Sequence, residues 1–153
     1  MPPAMRGESA ERFVVASLRL LALTFAVVGL LFLCLPDGTL DALDDAGDRL
    51  PLGSFTDAPE TTEQLWLALG FAYMTVITGL CLVVSTDVVR FRPLLFVLAA
   101  GKAASSLTAL GFYLFDTDVF AYLLNFLVDG FLVGVALLLY SLAGRVGDPA
   151  AAF

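Results

Sequence analysis

Four stretches of the chain are predominantly apolar over 22 or more residues: 13–35, 65–86, 93–115 and 119–143. About 20 apolar residues in a helix match the ~30 Å hydrocarbon core of a bilayer. In that medium the backbone has to satisfy its hydrogen bonds within each segment, so the pattern predicts four transmembrane helices. The fold class is therefore an all-α membrane protein, a four-transmembrane-helix bundle, with residues 1–153 forming one integral membrane domain.

The polar stretches between the spans define the connections. Residues 1–12, with Pro, Gly and both charge signs, read as a short mobile tail. Arg19, six residues into the first span, is expected to snorkel to the headgroups and leave Leu20 to Leu35 as the span's core. A cleaved signal peptide fits less well. The apolar run is long, and Leu33-Cys34-Leu35-Pro36-Asp37 is too bulky for a small-x-small cleavage site. Leu31-Phe32-Leu33-Cys34 likewise lacks the small residues of a lipoprotein site.

Residues 36–64 form the one substantial loop. Within it Leu40, Leu43, Gly47 and Leu50 recur at helical spacing, predicting a short helix on the membrane surface or over the bundle, stopped by Pro51 and Gly53. Thr61 and Gln64 have the spacing of a capping box opening the second span. Trp66 marks one interface of that span, and Asp87, Arg90 and Arg92 lie beyond the other. Pro93 suits the first turn of the third helix. The third and fourth helices are joined only by Asp116-Thr117-Asp118, which predicts an antiparallel hairpin.

Charge adds an orientation. Arg6, Arg12, Arg19, Arg90, Arg92 and Arg145 fall on one side, whereas the other carries Arg49 and ten acids. By the positive-inside rule both termini are expected to be cytoplasmic and the 36–64 loop extracytoplasmic. The net charge of −7 then belongs mainly to the outer face. The composition, 59% apolar and 15% charged with a mean hydropathy of +0.92, agrees with a multi-pass chain and with a bacterial cytoplasmic membrane.

Histidine is absent, which excludes histidine metal sites, bis-His haem and Ser-His or Cys-His nucleophile pairs. Cys34 and Cys81 have no Cys-x-x-Cys spacing. Their positions at opposite ends of consecutive spans place them at different depths, too far apart for a disulfide, and both read as packing residues. Asp41, Asp44, Asp45 and Asp48 lack the alternating ligands and turn glycine of a calcium loop. The thirteen Phe residues are accounted for by core and lipid contacts. No metal or cofactor is expected.

Two charges lie deep in spans. Lys102 is nine residues past Pro93, ~13 Å at 1.5 Å per residue, and Asp129 is ten past Val119, ~15 Å from the opposite end. In a ~30 Å core these depths nearly coincide. Each charge costs ~2.5–3.5 kcal/mol at mid-membrane on the insertion scale, so the two are expected to meet, as an ion pair or with both neutral. Helical spacing puts Lys102, Ser105, Ser106, Ala109 and Tyr113 on one side of the third helix, and Tyr122, Asn125 and Asp129 on one side of the fourth. Between Ala99 and Ala109 every residue but Lys102 and Leu107 is Ala, Gly, Ser or Thr, which predicts close approach from all sides and a central place for this helix. This polar set is either structural glue between helices, a site for a proton, ion or small molecule, or a charge awaiting a partner protein. Gly130 and Gly134 form a small-xxx-small surface for helix packing, expected within one protomer, and Ala22, Ala26 and Gly29 approximate one in the first span.

Leu18-Arg19-Leu20-Leu21, the first span ending in Leu35-Pro36-Asp37, and four helices with an outer first loop resemble small bacterial membrane proteins of the DoxX-like kind. The resemblance covers the whole chain in topology and only the first span in residues. It implies a fold; quinone-linked subunits occur among such proteins, and no residue here inherits such a role.

Two functions remain, of which the sequence favours the first. One is a non-enzymatic membrane subunit or assembly factor of a larger complex. The other is a small transporter or lipophilic-ligand binding protein using Lys102, Asp129, Asn125 and Tyr122. An enzyme ranks behind both. The expected partners are the lipid bilayer and either other membrane subunits or a second copy of the chain, with no nucleic acid.

Overall fold

The computed structural model describes residues 3–51, 55–58 and 64–146, with side chains described from residue 7 onward. Five helices follow in order: α1 (Pro3–Cys34), α2 (Pro36–Asp48), α3 (Gln64–Thr86), α4 (Pro93–Phe115) and α5 (Phe120–Val146). All but α2 are long and apolar enough to cross a membrane, so the chain is a four-span all-α bundle of the multi-pass membrane type.

The boundaries depart from the sequence pattern in three places. The polar tail is not irregular: α1 begins at Pro3, since proline's fixed φ suits a first helical turn. An Arg12–Glu8 pair at 3.1 Å, one turn apart, supports that extension. α2 follows α1 after Leu35 alone and ends at Asp48, which leaves Leu50 outside it and exposed. α5 runs on to Val146, past Gly144. Of the capping box, Thr61 lies outside the described residues, as does Gly53.

The spans form two antiparallel pairs, α1 with α3 and α4 with α5, which meet mainly along α1–α5 and only sparsely along α3–α4. Gly29 permits the close approach of α1 to α3, because a β-carbon there would lie 2.9 Å from Met74 Cβ. α4 is therefore not central, contrary to the expectation from its small residues; it packs extensively on α5 alone.

The interior is filled unevenly along the bundle axis. In the half bearing the start of α1, the α3–α4 turn and the end of α5, Val14, Leu18, Cys81, Val84, Leu95, Leu139 and Ala143 are each at most 1% exposed. Here Arg92 folds over α5, its Nε donating to the Tyr140 carbonyl at 2.9 Å with the guanidinium 3.9 Å from the Tyr140 ring centre. Arg19 is exposed on α1. It lies six residues before Phe25, which is level with Lys102, and thus ~9 Å nearer this end, within snorkelling reach of an interface.

At the other end α2 lies across α1 and α5. Leu40 and Leu43 turn inward while Asp37, Asp41, Asp45 and Asp48 are exposed, the amphipathic division predicted for this segment. The segment 55–58 ties the end together. Thr56 pairs with Val119 in an isolated bridge, its hydroxyl donates to Asp118 Oδ1 at 2.6 Å, and the Ala58 amide donates to Asp44 Oδ2 at 2.8 Å. Cys34 is exposed and Cys81 buried, both free thiols, at different depths as expected.

Candidate functional site

Lys102 on α4 and Asp129 on α5 meet inside the bundle. Lys102 Nζ donates to Asp129 Oδ1 at 2.9 Å, with the side chains 2% and 6% exposed. An ion pair removed from water loses its solvation, and mutual attraction together with further contacts offsets that loss. The ammonium has such contacts from the other helix pair: Nζ lies 4.7 Å from the Phe25 ring centre on α1 and 5.6 Å from that of Tyr73 on α3. Both distances are within the ~6 Å over which an aromatic face attracts a cation.

Two further polar links join α4 to α5 about one turn away. The Ser106 hydroxyl donates to the Phe126 carbonyl at 2.8 Å, and Asn125 Nδ2 donates to Ser105 Oγ at 3.2 Å. Interhelical bonds of this kind are worth ~0.6–2 kcal/mol each in membranes, enough in series to define the register of the hairpin. The polar groups expected to face one another thus do so, with two exceptions. Tyr122 lines the cleft described next but packs against Phe112, ring centres 5.6 Å apart, and does not bond to the ion pair. Tyr113 lies eleven residues beyond Lys102, ~16 Å along the helix, and takes no part in the cleft described next.

Toward α2 the interior opens into a cleft of about 920 Å³. Its floor is the ion pair with Tyr73 and Phe25; its walls are Val28 and Leu31 of α1, and Leu124 and Val128 of α5. Thr39, Leu40 and Leu43 of α2 cover the far end. On α4 the lining is Gly101, Ala104, Ser105, Thr108 and Ala109. The small residues that predicted a tightly packed helix create the space instead: no neighbouring helix fills the volume their side chains leave. Thr24, Leu31, Ala104 and Thr108 line the cleft and are exposed, so it opens sideways toward the surface that faces lipid.

Tyr73 and Phe25 are the contributors that sequence reasoning missed. Both sit in apolar spans among many aromatic residues, and only the proximity of α1 and α3 to Lys102 distinguishes them. Tyr73 has a further peculiarity: its hydroxyl is buried without a hydrogen-bond partner, 3.4 Å from where a β-carbon on Gly101 would stand. A buried hydroxyl left unpaired costs ~1–3 kcal/mol.

Of the glycine pair on α5, Gly130 does meet α4, a β-carbon there falling 3.3 Å from Ser106 Oγ, whereas Gly134 faces open space. Among the described residues no group of three or more His, Cys, Asp or Glu side chains could hold a metal ion. No protein-family model, curated protein or solved structure matches the chain.

Proposed function

We propose that the protein binds a lipophilic molecule in the cleft above the Lys102–Asp129 pair, as a small membrane carrier or binding protein. The observation that carries this reading is the cleft itself. Its ~920 Å³ falls within the usual range for ligand pockets, ~300–1,000 Å³, and it combines apolar walls with a few convergent polar groups. It also opens toward lipid, so a hydrophobic molecule reaches it without crossing water. A purely structural ion pair requires packed surroundings and no adjoining space.

The alternative, a non-enzymatic subunit or assembly factor, draws support from the exposed apolar side chains along every span, Leu107 at 66% and Phe131 at 71% among them. Lipid covers such a surface as readily as a partner helix does, which ranks this reading second. On the arginine asymmetry we propose that both termini are inside and α2 outside, and on composition that the membrane is a bacterial cytoplasmic one. A DoxX-like relationship rests on topology and the residues of the first span.

The deciding experiment is native mass spectrometry of the chain moved gently from its own membrane into nanodiscs, with bound species identified after release. One specific lipophilic molecule per chain supports the binding reading. A stoichiometric partner protein and no retained lipophile overturns it in favour of the subunit.

A further inference from the structure

Building on the binding reading, we infer that the cleft takes an uncharged lipid whose head is a hydroxyl, a long-chain alcohol, seated with that hydroxyl at the Lys102–Asp129 floor. Charge is the first argument. Lys102 and Asp129 are the only charged side chains lining the cleft among the described residues, and at 2.9 Å they neutralise each other. A carboxylate or ammonium head gains an opposite charge there only by displacing the present partner, which leaves a buried charge unpaired. A neutral head leaves the pair intact.

Hydrogen bonding is the second. Asp129 accepts from Lys102 through Oδ1; its Oδ2 takes part in no hydrogen bond among the described residues and is free to accept. Tyr73 lines the cleft, and its hydroxyl, buried without a partner beside Gly101, reaches a bound head by a small turn of the phenol. A hydroxyl is the smallest head that both donates to a carboxylate and accepts from a phenol, whereas a ketone or ether only accepts.

The direction of polarity is the third. The charged floor lies deep in the span; toward α2 the walls carry only uncharged groups, Ser105, Thr108, Asn125 and Tyr122 among apolar side chains, and Leu40 and Leu43 cover the far end. A phospholipid of that leaflet has the reverse order, and its phosphate would lie beside the exposed Asp37, Asp41, Asp45 and Asp48. A lipid alcohol has no such headgroup to place and buries readily at mid-depth.

The test is equilibrium binding of radiolabelled hexadecan-1-ol, hexadecanoic acid, hexadecylamine and hexadecane to the full chain in phosphatidylcholine nanodiscs, with empty nanodiscs subtracted. The alcohol is expected to saturate at one per chain and to bind about tenfold tighter than the other three, the discrimination one good hydrogen bond supplies. Thr108→Phe, which fills the cleft from an exposed position on α4, should abolish this binding with helicity unchanged. Tyr73→Phe should weaken the alcohol several-fold and leave the alkane as it was. Tightest binding of the acid or the amine, or equal binding of alcohol and alkane, overturns the head-group assignment while the binding reading stands. Saturable binding that survives Thr108→Phe overturns the placement in the cleft. If none of the four saturates, the inference fails, and the binding reading fails with it only where the nanodisc mass spectra also contain no retained lipophile.

Discussion

Gly47 on α2 lies directly against the ring of Phe120 at the start of α5, so close that a β-carbon at position 47 would stand 2.7 Å from Phe120 Cγ. This contact seats α2 over the end of the cleft. In an exposed helix Gly→Ala gains ~0.5–1 kcal/mol. At Gly47 the added methyl meets the rigid root of an aromatic side chain, itself 6% exposed, and overpacking of that kind costs ~1–3 kcal/mol. Gly47→Ala should therefore loosen α2. Hydrogen exchange should accelerate across Pro36–Asp48 with α3 and the α4–α5 hairpin unchanged; uniform exchange in the variant would mean that α2 is held elsewhere.

The buried pair has a distinctive mutational signature. Lys102→Ala or Asp129→Ala strands one charge among apolar side chains and should cost ~3–5 kcal/mol, read by unfolding in mixed micelles. Replacing both at once, Lys102→Met with Asp129→Leu, leaves no stranded charge and should recover most of the loss. The exchange of the two residues should recover part of it. A double variant no more stable than the worse single one would show that each residue is held by something other than the other.

Arg92 is fastened to α5 by its shape as much as by its charge. Arg92→Lys keeps the cation but loses the flat stack on Tyr140 and the Nε bond to the Tyr140 carbonyl, a loss of ~0.5–2 kcal/mol. Gly144→Ala should act through the same contact, because a β-carbon there meets the guanidinium at 2.7 Å. Two changes that break one interaction are not additive. The double variant should therefore melt close to the worse single variant, and full additivity of the melting shifts would separate the two effects.

The cysteines provide a probe of topology. Cys34 is exposed at the α2 end, and Cys81 is wholly buried. With α2 extracytoplasmic, a membrane-impermeant maleimide should label Cys34 in intact cells, and Cys81 only after denaturation. Labelling of Cys34 that requires opened cells would invert the orientation.

The parts of this fold legible in the sequence are those governed by local cost. An uninterrupted apolar run has few alternatives to a span, and two opposite charges at one depth have few alternatives to each other. Lys102 and Asp129 follow from that, as do the inward leucines of α2. The helical start of α1 was missed because a polar segment next to a membrane helix carries no hydropathy signal, only propensity and one Arg12–Glu8 pair. The small residues of α4 were misread for a different reason. Small side chains establish that bulk is missing, but whether a helix or a void takes its place depends on how far α3 stands from α4, a tertiary relationship with no local signature. Tyr73 joins the site by the same distant relationship, and Tyr113, on the predicted face, stays outside the cleft although its neighbour Phe112 lines it.

One side chain on α4 touches all three other spans: Lys102 Nζ bonds to Asp129 of α5 and stands over Phe25 of α1 and Tyr73 of α3. The seam between the two helix pairs is otherwise thin on the α3–α4 side. Sliding one pair along the other would pull the ammonium away from both rings, whereas a tilt centred on it preserves every one of its contacts. The nitrogen thus fastens the two helix pairs together at one depth and holds their register there.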